Sequence, residues 1–433
     1  MTSRAHHPGP SSPCSRALLA VALLSAAACE SPASTTVTVD FWAMGREGEV
    51  VAQLMPDFER ANPGIRVRVQ HLPFQGAHEK LLTAFVGEVT PDVAQMGNTW
   101  IPEFAALHAL APLGSAVGSS RVIDRRDYFE GIWDTNVIDG ELFGVPWYVD
   151  TRLLFYRQDI LAQAGFASPP RSWGEWTATM VAIKRLVGPD RYAGFLPLNE
   201  VEPLIALSLQ HPEPLLRDGG RFGNFRGEGF LRTLRFYVGL YRQALTPPPT
   251  NSVVTNVWNE FSRGYYSFYI TGPWNIGEFK RRLPPEAQST WMTAPLPGPD
   301  GPGKSIAGGS SVIVFKAARH PAEAWRLVEY LSQPEVQARF YALTGDLPAR
   351  KSTWTQARLD DDVYTRAFRD QLERVVPQPK VPEWERITQE MKTVAKLTVR
   401  GRLTVEEAAA SLDERTDRIL EKRRWMLARE RPR

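Results

Sequence analysis

The segment from Leu142 to Arg157 (LFGVPWYVDTRLLFYR) constrains the fold most, because two apolar, aromatic-rich runs flank a short polar interruption. Both runs are typical of β-strands. A strand that crosses a domain interior keeps its buried face apolar, so the carboxylate of Asp150 and the guanidinium of Arg152 need an explanation. Two interpretations stay open. Either these two side chains form a buried ion pair or a turn, or the backbone passes here between two lobes, with Trp147, Tyr148 and Asp150 facing a cleft.

The second interpretation predicts a particular ligand chemistry. Aromatic ring faces pack against the C–H faces of a sugar, and an ionised oxygen accepts hydrogen bonds from sugar hydroxyl groups. Aromatic residues beside a carboxylate, as in the sequence WYVD that ends at Asp150, therefore favour carbohydrate binding.

Length and charge limit the classes of protein that this chain can be. A chain of 433 residues is long enough for two or three domains. Its 23% charged and 43% hydrophobic residues indicate a globular protein rather than a disordered one. The formal net charge of +3 is small for this length, so no nucleic-acid-binding surface is predicted.

The first 28 residues have the layout of a bacterial signal peptide. Two arginines precede the apolar run Ala17–Ala28, which is too short to span a bilayer and ends directly before Cys29. This ending resembles a lipobox, in which the cysteine is lipidated and becomes the first mature residue. Ala26 stands where leucine is commonest, so ordinary secretion with cleavage near Ala28 is the alternative.

Cysteine usage supports lipidation. The chain has two cysteines, and Cys14 would leave with the signal peptide, so Cys29 could not form an internal disulfide. The sequence therefore predicts a lipoprotein signal peptide over 1–28, a tether over 29–36, and an exported protein anchored to the membrane through Cys29.

The mature chain opens with the pattern of a βαβ unit. A strand is predicted over 37–42, a loop over 43–49, an amphipathic helix over 49–62 and a second strand over 65–71. In open α/β sheets, ligands bind beyond the carboxyl ends of the strands. The residues that this rule brings to a candidate cleft are Trp42, Arg46 and Glu47.

Two further motifs contain glycine and lie at an end of a predicted strand. Gly272 and Pro273 end an aromatic strand with a tight turn that projects Trp274, either toward a ligand or into a packed core. Gly308 to Ser310 precede a β-branched run and predict a second crossing between lobes, where the backbone approaches a ligand closely. Helix starts are predicted at Ser172, whose partner Glu175 completes a capping box, and at Thr404.

Several stretches together resemble one family. They are FERANPGIRVRV, YRQDILAQAGF, SWGEW, GPW and TGDLPARKS, and they are spread over nearly the whole mature chain. They are similar to the extracellular solute-binding proteins (family 1) that serve ABC sugar importers, especially the maltose/trehalose-binding branch.

The resemblance implies an α/β, two-lobed periplasmic-binding-protein fold (type II) whose lobes are joined by three crossings, with a ligand cleft between them. The implied boundaries are 37–149 and 309–347 for lobe 1, 150–308 and 348–425 for lobe 2, and a basic tail over 426–433. The implied function is capture of a disaccharide or short oligosaccharide, with a trehalose- or maltose-like α-glucoside favoured, by hinge closure. The implied partners are the sugar and the membrane subunits of the transporter. We expect a monomer on the periplasmic or extracytoplasmic side, without catalysis, cofactor or metal.

Residues and resemblance together give a predicted ligand-binding set. It comprises Trp42, Glu47, Gln75, His78, Asn98, Trp100, Trp147, Tyr148, Asp150, Trp274, Gly309, Ser310, Arg350 and Trp384. Gly97 or Asn98 occupies a position where the branch commonly has an aspartate, which leaves the sugar preference open.

Two other functions remain possible from sequence alone. A secreted glycoside hydrolase needs two carboxylates astride a sugar bond, and Glu47 and Asp150 could form such a pair. A receptor for glycerol-3-phosphate would need more cations in the cleft loops than Arg46 and Arg350.

Overall fold

The computed structural model describes residues 36–248 and 256–429. The predicted signal peptide, Cys29 and all but the last residue of the predicted tether lie outside the described residues. None of the helices in these two ranges combines the length and the apolar character that crossing a bilayer requires.

The strands of the described residues fall into two main sheets and three small two-stranded ones. They are β1 (Val37–Met44), β2 (Ile65–Leu72), β3 (Val93–Gly97), β4 (Val137–Ile138), β5 (Glu141–Leu142), β6 (Val145–Asp150), β7 (Leu153–Arg157), β8 (Tyr192–Phe195), β9 (Leu216–Arg217), β10 (Phe222–Gly223), β11 (Tyr266–Thr271), β12 (Trp291–Ala294), β13 (Ser305–Ile306), β14 (Gly308–Val314), β15 (Leu347–Pro348) and β16 (Val375–Val376).

Helices cover both main sheets. The α-helices are α1 (Gly45–Val51), α2 (Met55–Ala61), α3 (Ala77–Val86), α4 (Ile101–Ala106), α5 (Gly114–Ser119), α6 (Glu130–Asp134), α7 (Gln158–Gln163), α8 (Trp173–Val187), α9 (Glu202–Ser208), α10 (Glu228–Arg242), α11 (Val257–Ser262), α12 (Trp274–Arg282), α13 (Pro321–Leu331), α14 (Pro334–Thr344), α15 (Lys351–Gln356), α16 (Arg366–Leu372), α17 (Trp384–Val399), α18 (Val405–Ile419) and α19 (Glu421–Arg429). Short 3₁₀ helices lie at Ala52–Leu54, Arg125–Asp127 and Pro285–Ala287.

The first sheet has six strands in the order β15-β6-β14-β3-β1-β2. β1 is parallel to β2 and β3, whereas β14 is antiparallel to β3 and β6. β3 is buried from Val93 to Met96, as expected of a central strand covered on both faces. β2 lies at the edge and exposes Arg66, which its alternating sequence predicted.

The second sheet has four strands in the order β12-β7-β11-β8. All residues of β7 and β11 are buried, so the two central strands carry the apolar core of this half. α8 packs on β8, and the C-terminal pair α17 and α18 packs on α10. We refer to the six-stranded sheet with its helices as the first lobe and to the four-stranded sheet with its helices as the second.

The chain changes sheet at the polar interruption. β6 ends at Asp150 in the first sheet and β7 begins at Leu153 in the second, so only Thr151 and Arg152 connect them. The predicted first passage between lobes is confirmed.

Two further passages lie at β13–β14 and after β15. β13 pairs with β16, and two residues later β14 begins in the first sheet, as the glycine motif predicted. After β15, α15 still packs on α14 of the first lobe, and α16 is the next helix to pack on β7 and β12 of the second. The lobe boundaries themselves stay a prediction.

Local sequence signals agree with the structure except at α1. The predicted capping box is present at Ser172, and Thr404 is the N-cap of α18 as predicted, where it also forms a capping box with Glu407. The predicted loop over 43–49 is wrong, because β1 extends to Met44 and α1 begins at Gly45. The predicted helix over 49–62 is interrupted by the 3₁₀ turn Ala52–Leu54, after which Pro56 sits in the first turn of α2, where its missing N–H costs no hydrogen bond.

Candidate functional site

Three side chains from distant parts of the first lobe meet at the edge of its sheet. Glu47 lies in the first turn of α1, Tyr148 in β6 and Asp346 one residue before β15. The Tyr148 hydroxyl and the carboxyl groups of Glu47 and Asp346 lie close enough to shift one another's pKa. Glu47 and Tyr148 belong to the predicted ligand-binding set, whereas Asp346 does not.

Burial changes the acidity of this group. It raises the pKa of Glu47, although the hydrogen bond from Tyr148 opposes the shift. Burial and the neighbouring charge of Glu47 raise the pKa of Asp346 to about 7. A raised pKa favours the neutral form of a carboxyl group, which can donate a hydrogen bond as well as accept one.

A buried hydrogen-bond network supports the same edge of the sheet. Ser310 Oγ donates to Tyr148 Oη over 3.0 Å, and Gln95 Nε2 donates to the same oxygen over 3.2 Å. Gln95 Oε1 accepts a hydrogen bond of 2.8 Å from the backbone N–H of Met44, which fixes the end of β1 just before Glu47. Gln95 was not in the predicted set, because its sequence position inside an apolar strand gives no sign of these partners.

Gly309 is required by the packing of β14 against β6. Its φ is +121°, and a Cβ atom there would lie 2.2 Å from the carbonyl oxygen of Tyr148. Only glycine fits so close to the neighbouring strand. The close approach predicted for this motif is thus to backbone, and a ligand contact of Gly309 stays a prediction.

An ion pair occupies the first passage between the lobes. Arg152 Nη1 lies 2.7 Å from Asp150 Oδ1, and both side chains are largely buried. Burial raises the pKa of Asp150 although the charge of Arg152 opposes it. Glu200 also lies within the field of Arg152. The predicted ion pair and the predicted passage between lobes are both present, whereas Trp147 is buried and does not face a cleft.

Trp274 is the first residue of α12 and directly follows the turn after β11. Its ring lies 4.7 Å from the Arg152 guanidinium and is 41% exposed. A Cβ atom at Gly272 would lie 1.9 Å from the ring, so the glycine makes room for it. The ring is thus held beside the passage with one part open to solvent, and it is not a buried core residue.

A second cluster lies at the carboxyl ends of β1 and β3. The rings of His78 and Trp100 are 5.1 Å apart, and Lys80 Nζ lies 5.6 Å from the ring of Trp42. His78 Nε2 and Glu103 Oε2 are 2.7 Å apart, and this hydrogen bond raises the pKa of His78. Trp42 and Trp100 are half-buried against Met44, Leu72 and Ala77, whereas Gln75 is exposed.

Asn98 donates hydrogen bonds to backbone carbonyls at the second passage. Its Nδ2 donates to the carbonyl of Ala307 over 3.1 Å, and its backbone N–H donates to Gly309. The adjacent Thr99 donates to Glu385 of α17 over 2.6 Å, which links the two lobes. Asn98 therefore helps to hold the passage, and its contact with a ligand stays a prediction.

The structure does not support a ligand role for three predicted residues. Trp147 is 1% exposed and stacks on Phe340, with ring centroids 4.3 Å apart. Trp384 is equally buried, and its Nε1 donates to Gln378. Both tryptophans are core residues, because packing covers their whole rings.

Arg350 is the third correction. Its Nε donates to Asp127 over 2.6 Å, and its Nη1 donates to the carbonyls of Val122 and Ser332. The side chain is buried in the first lobe by these contacts. A guanidinium satisfied by a carboxylate and two carbonyls stabilises the fold, and the predicted sugar contact is not supported.

No group of three or more histidine, cysteine, aspartate or glutamate side chains within residues 36–248 and 256–429 is arranged so that it could hold a metal ion.

Comparisons with known proteins agree with this architecture. The sugar-binding protein MalE of the phytopathogen Xanthomonas citri has a solved structure that superimposes with a TM-score of 0.89 at 55% identity, over 91% of this chain and all of that chain. The diacetylchitobiose-binding protein DasA of Streptomyces coelicolor is 23% identical over 88% of this chain and 89% of its own length. An uncharacterized lipoprotein of Streptomyces antibioticus is 27% identical over 80% of this chain and 78% of its own length.

The predicted two-lobed α/β fold is confirmed by the match to MalE. The model of the bacterial extracellular solute-binding protein family matches residues 44–338, which is more than half of the chain. These residues include β2 to β14 and the first two passages between the main sheets. The chain therefore belongs to the bacterial extracellular solute-binding protein family.

Proposed function

We propose that this protein is the sugar-binding subunit of an ABC importer and that it captures a disaccharide or short oligosaccharide between its two lobes. A trehalose- or maltose-like α-glucoside is the favoured ligand. The observation that carries the proposal is the open ring of Trp274 beside the Asp150–Arg152 pair, at the passage between the lobes. The 55% identity to a sugar-binding protein over most of the chain supports it.

The side chains around the passage suit a neutral sugar. Stacking on an aromatic ring contributes about 0.5–1.5 kcal/mol beyond the burial of area. Hydrogen bonds between hydroxyl groups and charged side chains contribute about 1.5–3 kcal/mol each. Three carboxyl groups, those of Asp150, Glu200 and Glu202, surround the single cation of Arg152. This excess of negative charge disfavours a sugar phosphate.

Binding is proposed to select a closed state in which both lobes contact the sugar. A sugar that contacts both lobes binds the closed state more tightly than the open state. This difference in affinity shifts the hinge equilibrium toward closure. The membrane subunits of the importer would then recognise the closed form. The protein acts as a receptor and leaves the sugar unchanged.

The N-terminal features are part of the same proposal. A lipid on Cys29 would hold the exported protein at the membrane, next to the transporter. The relative described as a lipoprotein supports this arrangement.

Calorimetric titration of the purified protein with maltose, trehalose, maltotriose, diacetylchitobiose and glycerol-3-phosphate tests the ligand class. We expect saturable binding of at least one α-glucoside and none of glycerol-3-phosphate. Chromatography of each sugar after prolonged incubation tests for catalysis. Intact sugar is expected, and release of glucose would replace the receptor function by hydrolysis through carboxyl groups such as Glu47 and Asp150.

A further inference from the structure

Large aromatic side chains with substantially exposed rings are few in the described part of the chain. They are Phe74 at 59%, Trp425 at 54% and Trp274 at 41% exposure. Trp425 lies on α19 near the C-terminus, and Trp274 belongs to the site described above. Phe74 was not among the predicted ligand-binding residues. A phenylalanine with 59% of its surface exposed contributes little burial to folding, and its free surface is available for contact with a ligand.

Phe74 and Trp274 occupy corresponding places in the two lobes. Phe74 comes two residues after β2 in the first sheet, and Trp274 comes three residues after β11 in the second. β2 runs parallel to β1, and β11 runs parallel to β8. The carboxyl ends of parallel strands form the edge at which open α/β sheets bind their ligands. Both exposed rings therefore lie at such edges.

Phe74 also lies next to Glu47. A Cβ atom at Gly45 would lie 3.8 Å from Cδ2 of Phe74 and 2.8 Å from Oε2 of Glu47. The aromatic ring and the carboxylate thus approach the same backbone position at the start of α1. This is the combination of ring face and hydrogen-bond acceptor that suits a sugar.

The other aromatic side chains at this edge of the first lobe have less free surface. Trp42 and Trp100 are half-buried against the cluster of Met44, Leu72 and Ala77. Tyr148 is buried, and its hydroxyl oxygen accepts hydrogen bonds from Ser310 and Gln95. Among the described residues, Phe74 is the aromatic side chain of this edge whose ring is more than half open.

We propose that Phe74 is a specificity-determining residue that stacks on a pyranose ring from the first lobe, while Trp274 stacks from the second. The inference rests on the proposed sugar-binding function and deepens it. Phenylalanine has no hydrogen-bonding group, so it selects a sugar ring with a flat C–H face by shape. Glu47 and its neighbours would bind the hydroxyl groups.

The test compares Phe74→Ala, Phe74→Leu and Phe74→Trp with wild type by calorimetric titration, with the α-glucoside that wild type binds. We expect Phe74→Ala to weaken binding about tenfold, which corresponds to about 1.4 kcal/mol. Phe74→Leu keeps apolar area without a π face and should recover part of the loss, whereas Phe74→Trp should bind at least as tightly as wild type. Trp425→Ala is the matched control, because it removes an equally exposed ring on α19 and should leave the affinity unchanged.

The outcomes separate this inference from the proposed function. If wild type binds no sugar of the panel, the proposed function fails and the inference fails with it. If wild type binds and Phe74→Ala binds equally well, the inference alone is overturned. Unchanged affinity with impaired uptake would assign Phe74 to a contact with the transporter, and a melting temperature lowered by several degrees would assign it to the fold. Either result overturns the inference.

Discussion

Replacing Trp274 by alanine is the most informative change at the passage between the lobes. The exposed 41% of this residue corresponds to about 100 Å² of a side chain that buries up to about 250 Å². If a sugar covers this surface, its burial is worth about 2.5 kcal/mol at about 25 cal/mol per Å². We therefore expect the dissociation constant of Trp274→Ala to rise by up to about 60-fold.

The same substitution should have a smaller effect on the empty protein. Trp274 contacts the Arg152 guanidinium at 4.7 Å, and a partly covered contact of this kind is worth about 1–2 kcal/mol. By contrast, Trp147 is fully buried against Phe340, and truncating a buried tryptophan costs about 3–5 kcal/mol. The two variants should thus differ clearly in the free energy of unfolding.

Calorimetric titration measures the affinity, and urea unfolding without sugar measures the stability. Trp425→Ala serves as the control for loss of an exposed tryptophan far along the chain. The reasoning would be refuted if Trp274→Ala bound the sugar within twofold of wild type. It would also be refuted if this variant lost as much stability as Trp147→Ala, because Trp274 would then be a core residue.

Three further predictions concern the acidic pair, the buried arginine and the N-terminus. Because burial and Glu47 raise the pKa of Asp346 from 3.8 to about 7, this carboxyl is stabilising while protonated, and the free energy of unfolding should fall as pH rises from about 4 to 7. Asp346→Asn should flatten this dependence in urea unfolding at several pH values, and an unchanged slope would contradict it. Arg350→Met breaks a buried ion pair with Asp127 and should cost about 3–5 kcal/mol of stability. Arg60→Met removes an exposed pair and should cost less than about 1 kcal/mol, so equal costs would contradict the assignment. Cys29→Ala should move the protein from the membrane fraction to the soluble fraction of cells, and unchanged fractionation would argue against a lipid anchor.

Signals confined to a few neighbouring residues could be predicted from the sequence. The polar residues Asp150 and Arg152 mark the first passage between the lobes, because only two residues separate the two apolar strands there. The capping box at Ser172 and Glu175 is formed within four residues and needs no distant partner. The strand pattern of β1 and β2 likewise predicts their parallel pairing.

The roles of single side chains could not be predicted in the same way, because distant residues decide them. Trp147 in β6 and Trp274 at the start of α12 both follow a proline in the sequence, yet Phe340, far along the chain, covers the first ring, whereas the second is partly open. Arg350 lies within a stretch that resembles a family motif. Its guanidinium donates hydrogen bonds to Asp127 and to two backbone carbonyls, none of which is near it in sequence. Asp346 meets Glu47 only because β15 and β1 belong to one sheet.

If the two lobes close around a sugar, the distance between them changes, and this distance can be measured. Val86 on α3 and Leu186 on α8 are exposed residues of the first and second lobe, so spin labels on Val86→Cys and Leu186→Cys report their separation. Cys14→Ala and Cys29→Ala are included so that the labels attach only at these two sites. We expect a saturating α-glucoside to shift the distance distribution to one narrower population and glycerol-3-phosphate to leave it unchanged. An identical distribution with and without a sugar that calorimetry shows to be bound would contradict closure.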